Sequence, residues 1–290
     1  MKAVSTPHVL LGLVAAFVLH VQASTGGGLR SIDAEGQEQP IYRYKSSSVY
    51  VVDARKHRYL RFGNPKGTDQ SILDLENPDR LAMPYLRPAA LAAEFAGQVR
   101  NVLIIGLGGG GFSRYLRRRF PEAVIDAVEI DAEVIKVARL FFGISQDPYL
   151  RISLADGATY LEKLLTLPEG RYDLIFLDAY DGDHIPTPLT TDRFLTNVSA
   201  QLRDHGLVIA NVGKDDLALY RPRFEKIYAA CAQLRVWQDE NRILVGSKIQ
   251  LPSRQDVLLQ ANAMDTQGSS EILYTTIART WKPCRIPTHP

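Results

Sequence analysis

The chain has 290 residues, and its 34 Lys plus Arg against 32 Asp plus Glu give a formal net charge of +2. Apolar residues make up 46% and charged residues 23%, with 21 Gly and 16 Pro. These values exclude a disordered, collagen-like or low-complexity chain, and the balanced charge argues against a nucleic-acid partner, whose phosphates call for a basic excess.

The N-terminus differs from the rest. Lys2 precedes an apolar run over residues 9–21, interrupted only by Gly12 and His20, and the run closes on Val21-Gln22-Ala23. A basic residue, a short apolar stretch and a small residue at a cleavage-like position are the parts of a secretory signal. The run is shorter than the ~20 residues that span a bilayer. Residues 1–23 are therefore expected to direct export to the periplasm or beyond, leaving no membrane segment. The alternative is a buried first helix in a cytoplasmic protein. Residues 24–40, with Gly26-Gly27-Gly28, read as a flexible polar lead-in.

Residues 41–80 carry short β-rich runs at 41–44, 49–52, 59–62 and 71–73, separated by turn formers such as Gly63-Asn64-Pro65. They predict a small antiparallel sheet. A helix is expected over 84–95, where Leu86, Ala89, Ala90 and Ala93 recur at helical spacing. From residue 100 apolar runs alternate with helical patterns. Strands are expected at 102–105, 124–128, 151–154, 174–177 and 207–211, and helices near 111–119, 132–142, 157–165, 191–203 and 218–232. Apolar strands between helices are covered on both faces, which predicts a mostly parallel, Rossmann-like α/β sheet over residues 81–266. A hairpin at 234–237 and 243–246 and a helix near 253–263 complete it, followed by a C-terminal tail over 267–290 whose Pro-containing end, residues 281–290, is expected to be irregular.

The sharpest feature follows the first of these strands. Gly106, Gly108 and Gly111 satisfy G-x-G-x-x-G within Gly106-Leu107-Gly108-Gly109-Gly110-Gly111, between a strand and a helix. Such a loop turns tightly and brings backbone close to a ligand at a helix N-terminus. Glu129 ends the next strand, 18 residues past Gly111, where a carboxylate accepts from ribose hydroxyls. The third strand ends in Asp156-Gly157 and the fourth in Asp178-Ala179-Tyr180-Asp181. Acids at the carboxyl ends of successive strands converge on one crevice. A dinucleotide needs a phosphate cradle there; a cationic sulfonium or a polyamine suits so many carboxylates better. Each Asp also has a structural reading as a helix N-cap.

Other features read more plainly. Arg114, Arg117, Arg118 and Arg119 sit on the helix after the glycine loop and read as a solvated face near its C-terminus. Asp181-Gly182-Asp183-His184 is too isolated to read as a metal site, so no metal is expected. Cys231 and Cys284 are too few for a zinc site or a disulfide scaffold; one bridge and two separate thiols both remain open.

The glycine loop, Ala127-Val128-Glu129-Ile130-Asp131, Asp147-Pro148 leading to Asp156-Gly157, and the run from Tyr172-Asp173 to Asp178-Ala179-Tyr180-Asp181 together resemble the spermidine synthase (polyamine aminopropyltransferase) family, related to class I S-adenosylmethionine-dependent methyltransferases. The likeness covers residues 41–246. The run Asp181 to Pro186, followed by Leu189-Thr190-Thr191, looks most like a bacterial branch of that family. The resemblance implies aminopropyl transfer from decarboxylated S-adenosylmethionine to an amine such as putrescine. It places Gly106, Gly108, Gly109, Gly111, Glu129, Asp156 and Gly157 around the cofactor. Asp178 would orient or deprotonate the amine, with Asp181 and Tyr180 assisting. Gln70 would stand on the substrate-side wall. Family members dimerise through the N-terminal sheet, which makes a homodimer the implied assembly.

Two departures stand out. The family carries an Asp in the glycine loop where this chain has Gly109, and its Tyr-His-Glu-like segment is replaced by Leu81-Ala82-Met83-Pro84-Tyr85. Tyr85 is the candidate for the missing tyrosine. A methyltransferase using intact S-adenosylmethionine is the alternative, with His184 as a candidate base. A non-catalytic nucleoside- or polyamine-binding protein is a third reading.

Overall fold

The computed structural model describes residues 31–32, 38–145, 147–167, 170–236, 240–267 and 273–284. The expected export signal lies outside the described residues. Within the expected lead-in, β1 (Ser31–Ile32) and β2 (Glu38–Gln39) pair antiparallel.

The front sheet runs β3 (Ile41–Lys45), β4 (Val49–Ala54), β5 (His57–Phe62) and β6 (Asp69–Asp74), each antiparallel to the next. Side chains alternate across a strand. Val49, Val51, Leu60 and Leu73 therefore share one face and pack on Val134, Val137 and Phe142 of the following domain.

The second layer opens with α1 (Leu86–Ala93), a short apolar helix buried along its whole length. Then β7 (Asn101–Ile105), α2 (Gly111–Arg119), β8 (Val124–Glu129), α3 (Ala132–Phe141), β9 (Leu150–Leu154), α4 (Gly157–Leu164), β10 (Tyr172–Leu177), α5 (Asp192–Gln201), β11 (Leu202–Val212) and α6 (Lys214–Ile227) follow in the expected alternation. The chain ends with β12 (Ala230–Arg235), β13 (Arg242–Ser247), α7 (Arg254–Gln267), α8 (Tyr274–Ala278) and β14 (Lys282–Pro283).

One eight-stranded sheet results, ordered β14-β12-β13-β11-β10-β7-β8-β9. The five strands from β11 to β9 are parallel, and β13, β12 and β14 add antiparallel. The chain winds outward from β7 through β8 to β9, then restarts at β10 on the other side of β7. That reversal makes a crevice at the carboxyl ends of β7 and β10, where open α/β sheets bind ligands.

The sequence places the late elements less well. The helix expected at 218–232 instead runs Lys214–Ile227. Asp215 and Asp216 fall in its first turn, where acids complement the helix dipole. It stops because Ala230-Cys231-Ala232 is drawn into β12 beside β13. The helix expected to reach 203 ends at Gln201, since Leu202 already pairs with Tyr172. In the tail α8 packs on α1 and α7, and Lys282–Pro283, in the stretch expected to be irregular, pairs with β12. Cys231 and Cys284 form a disulfide, fastening this last strand to the sheet.

Candidate active site

A cavity of about 850 Å³ opens at the carboxyl ends of β7, β8, β9 and β10, roofed by β6 of the front sheet. The twelve residues singled out for aminopropyl transfer line it, and His184, the candidate base of the methyltransferase reading, does not. How each is held decides what it can do.

Gly106 turns the chain directly after β7 at φ +95°, and an added Cβ would lie 2.1 Å from the Asp178 carbonyl oxygen. Only glycine lets β7 and β10 close up there. Gly108 also takes a positive φ, +52°, and its missing Cβ leaves room for Ser71 Oγ. Gly157 sits against Ile105, whose Cγ2 would be 2.6 Å from a Cβ. These glycines keep the floor flat enough for a ligand to approach backbone.

Glu129 ends β8. Its Oε2 accepts from the N–H groups of Leu107 (2.9 Å) and Gly108 (3.3 Å), and its Oε1 from that of Asp131 (3.1 Å). Three of its roughly four acceptor positions are thus taken, leaving capacity for about one more donor. The same carboxylate shapes the glycine loop and faces the cavity. Asp156 is also doubly used: it caps α4 by accepting from the Thr159 N–H at 2.8 Å and still lines the cavity. The capping and ligand-facing readings of Asp156 are compatible.

Asp178 follows β10, and its N–H donates to the Ile105 carbonyl at 2.9 Å, which pins it beside the glycine loop. Oδ2 accepts from the Tyr85 hydroxyl at 2.8 Å and Oδ1 from Asn211 Nδ2 at 2.9 Å. Burial pushes the carboxyl up to about 6, the negative charge of Glu129 adds to the rise, and the two hydrogen bonds oppose it. A carboxyl poised near neutrality can hold or release a proton under working conditions.

Tyr180 is less free than its position suggests. Its hydroxyl donates to the Asn211 carbonyl at 3.0 Å and accepts from the Gly213 N–H at 2.8 Å. Burial pushes its pKa far above the usual phenol range, so it keeps its proton and braces the site. Asp181 is exposed at the cavity mouth, its N–H bonded to the His184 carbonyl at 3.1 Å. Gln70 reaches across from β6 and donates to the Gly182 carbonyl at 3.1 Å, and Thr68 bonds Asp183 at 3.0 Å. The front sheet therefore holds the loop that carries Asp181. His184 stands outside the cavity, 3.7 Å from Asp216.

Sequence reasoning missed three residues. Ser71 accepts from the Gly109 N–H at 2.8 Å. Asn211 holds Asp178, and Asn241 donates to Asn211 Oδ1 at 3.1 Å. Asn211 lies next to the end of β11, much as the acids lie at strand ends, which was a usable signal; Ser71 and Asn241 carried none.

The described arginines of α2 do not form a bare basic face. Arg114 is bonded to the carbonyls of Gly109 and Phe142, and Arg117, Arg118 and Arg119 pair with Asp147, Asp79 and Glu94.

Comparison with known proteins places this geometry. The model of the spermine/spermidine synthase domain matches residues 89–238. The chain belongs to the spermine/spermidine synthase family. It is 30% identical over 240 residues to a polyamine aminopropyltransferase of Vibrio vulnificus, covering 79% of each chain. Among solved structures it resembles a probable spermidine synthase from Corynebacterium glutamicum, with a TM-score of 0.67 at 20% identity over 84% of this chain and 90% of that one. It also resembles human methyltransferase-like protein 13 in complex with SAH, with a TM-score of 0.55 at 26% identity over 64% of this chain and 93% of that one.

Gly109, where the resemblance leads one to expect a loop acid, is closely packed. A Cβ on Gly109 would sit 2.8 Å from Phe142 Cδ1 and 2.9 Å from Ser71 Cβ. The space that a loop acid would occupy is filled by β6 and the end of α3. Tyr85 stands where the altered 81–85 segment enters α1 and bonds the central carboxylate.

Proposed function

We propose that the chain transfers an aminopropyl group from decarboxylated S-adenosylmethionine to a small amine such as putrescine, releasing methylthioadenosine. The observation that carries this is the sign of the cavity. Seven of its lining residues are Asp or Glu, and none of the described ones is Lys, Arg or His. Arg61 neutralises Asp69 at 2.6 Å, which leaves the other six. A cationic donor and a cationic acceptor both suit such a field, whereas the carboxylate of the intact donor would meet no basic side chain. Glu129 and Asp156 would hold the nucleoside. Asp178 would take a proton from the protonated amine. The freed nitrogen lone pair then forms the new C–N bond as the C–S bond breaks, and the sulfonium leaves as a neutral thioether. Holding the two reactants in line supplies much of the rate.

Calorimetry with both forms of the donor, paired with an assay for methylthioadenosine, tests the reading. The decarboxylated form should bind more tightly, and methylthioadenosine should appear only when an amine is added. Binding of neither form would defeat it.

One observation favours a second reading, methyl transfer from the intact donor. Position 109 carries no acid to repel a donor carboxylate, and the human neighbour was solved with SAH. Tighter binding of the intact donor and a methylated acceptor would decide for it. We further propose that the protein works outside the cytoplasm. The buried Cys231–Cys284 disulfide supports this, because such bridges persist in oxidising compartments. Cell fractionation should recover a mature chain beginning near Ser24.

A further inference from the structure

Asp178 has one hydrogen-bond donor on each oxygen, and one of these donors is itself held by a third residue. Register explains how they meet. Asn211 lies near the end of β11, and Asn241 lies one step beyond the Val212–Arg242 pair of β11 and β13. Their side chains therefore meet at the carboxyl edge of the sheet, against Asp178, the residue that follows β10. Asn211 Nδ2 donates to Asp178 Oδ1 at 2.9 Å, while Asn211 Oδ1 accepts from Asn241 Nδ2 at 3.1 Å.

A carboxamide turned by half a rotation exchanges its donor and acceptor ends. At Asn211 that turn would put oxygen against the Asp178 carboxylate and N–H against the N–H of Asn241. Both contacts would be repulsive. Asn241 thereby reinforces the end of Asn211 that the carboxylate sees. We propose that Asn241 is a positioning residue: it locks the Asn211 amide with its N–H toward Asp178, and so keeps that carboxylate a fixed proton acceptor facing the amine. This deepens the reading above, since it rests on Asp178 being the acid that receives the proton.

The other groups around Asp178 are few. Tyr85 donates to Oδ2 from the segment before α1. Glu129 on β8 opposes ionisation by its charge. The Tyr180 hydroxyl is committed to the Asn211 carbonyl and the Gly213 N–H. Asn211 is thus the donor whose direction a neighbouring amide also fixes.

The test is a carboxyl ¹³C titration of aspartate-labelled protein, with the Asp178 signal identified by its loss in Asp178→Asn. The wild-type midpoint should lie near 6. Asn211→Leu should raise it by about one pH unit, the effect of losing a hydrogen bond to the charged form. Asn241→Ala should raise it in the same direction by a smaller amount. Because both act through one amide, the double variant should shift no further than Asn211→Leu alone. Asn241→Gln keeps the donor and should recover the wild-type midpoint, which also guards against a folding defect in the alanine variant. An unchanged midpoint in Asn241→Ala, or additive shifts in the double variant, would overturn the proposal. In turnover, the acid limb of the kcat profile should move with the titration midpoint while donor KM stays constant. The titration needs no turnover, so an inactive wild-type protein would defeat the proposed reaction without deciding the role of Asn241.

Discussion

Asp178 holds its proton more tightly in the folded chain than an unfolded aspartate does, because burial raises it from 3.8 to about 6. Between those two values folding takes up a proton, so stability falls as pH rises through the window. Above pH 6 the full cost applies, on the order of 3 kcal/mol at 1.36 kcal/mol per pH unit. Asp178→Asn should therefore be more stable than wild type in urea melts at pH 8, and the gain should vanish below pH 4. The same variant should lose about 10²–10⁴-fold in turnover, the usual share of a positioned acid–base group. Its affinity for the donor should hold, because Glu129 and the glycine loop remain. A variant with equal stability at pH 8 would show that the carboxylate is not desolvated. In the proposed reaction, Asp178 is the place where this chain gives up stability for chemistry.

At the scale of elements, the strand–loop–helix units around β7 and β8 were legible because their signals are local. Gly106, Gly108 and Gly111 lie within six residues, and Glu129, Asp156 and Asp178 each close an apolar run. What fills the space beside the loop was not legible. Ser71 comes from β6, 38 positions from its partner Gly109, and Phe142 comes from the end of α3. No spacing rule connects them; only the packing of β6 and the end of α3 against the loop does. Asn241 was hidden for the same reason, since the register of β11 on β13 gives it its partner. The late helix was misplaced because Tyr220, Phe224 and Tyr228 continue a helical spacing past the true end, where pairing with β13 wins. Introducing an acid at position 109 tests this packing. Gly109→Asp should weaken donor binding and cost about 1–3 kcal/mol, as overpacking does, rather than improve the site. Denaturant melts and donor calorimetry would show it, and a variant that binds the donor more tightly at unchanged stability would refute it. The C-terminal strand offers a second check. The disulfide spans a sequence separation of 53 residues. Cys284→Ala should cost about 2–4 kcal/mol by freeing that loop in the unfolded chain, read as a fall in Tm that reducing agent reproduces in wild type.

Across the whole molecule, a net charge of +2 averages over opposite local fields. The arginines of α2 are spent on Asp147, Asp79, Glu94 and two carbonyls, so they project little free charge. The cavity keeps six carboxylates without a neutralising arginine or lysine among its described lining residues. Charges of one sign in a cleft with apolar walls focus a field that gathers counter-charged substrates. Association of a cationic amine should therefore depend on salt even though the protein as a whole is nearly neutral. Raising ionic strength from about 0.02 M to about 0.5 M shrinks the screening length from ~20 Å to ~4 Å. Across that range kcat/KM for the amine should fall about tenfold, while kcat at saturation should hardly move. Stopped-flow or steady-state assays at matched pH would measure it. Salt-independent kcat/KM would mean that the acids of the cavity are answered by cations, and the cavity would then have no electrostatic reason to choose an amine.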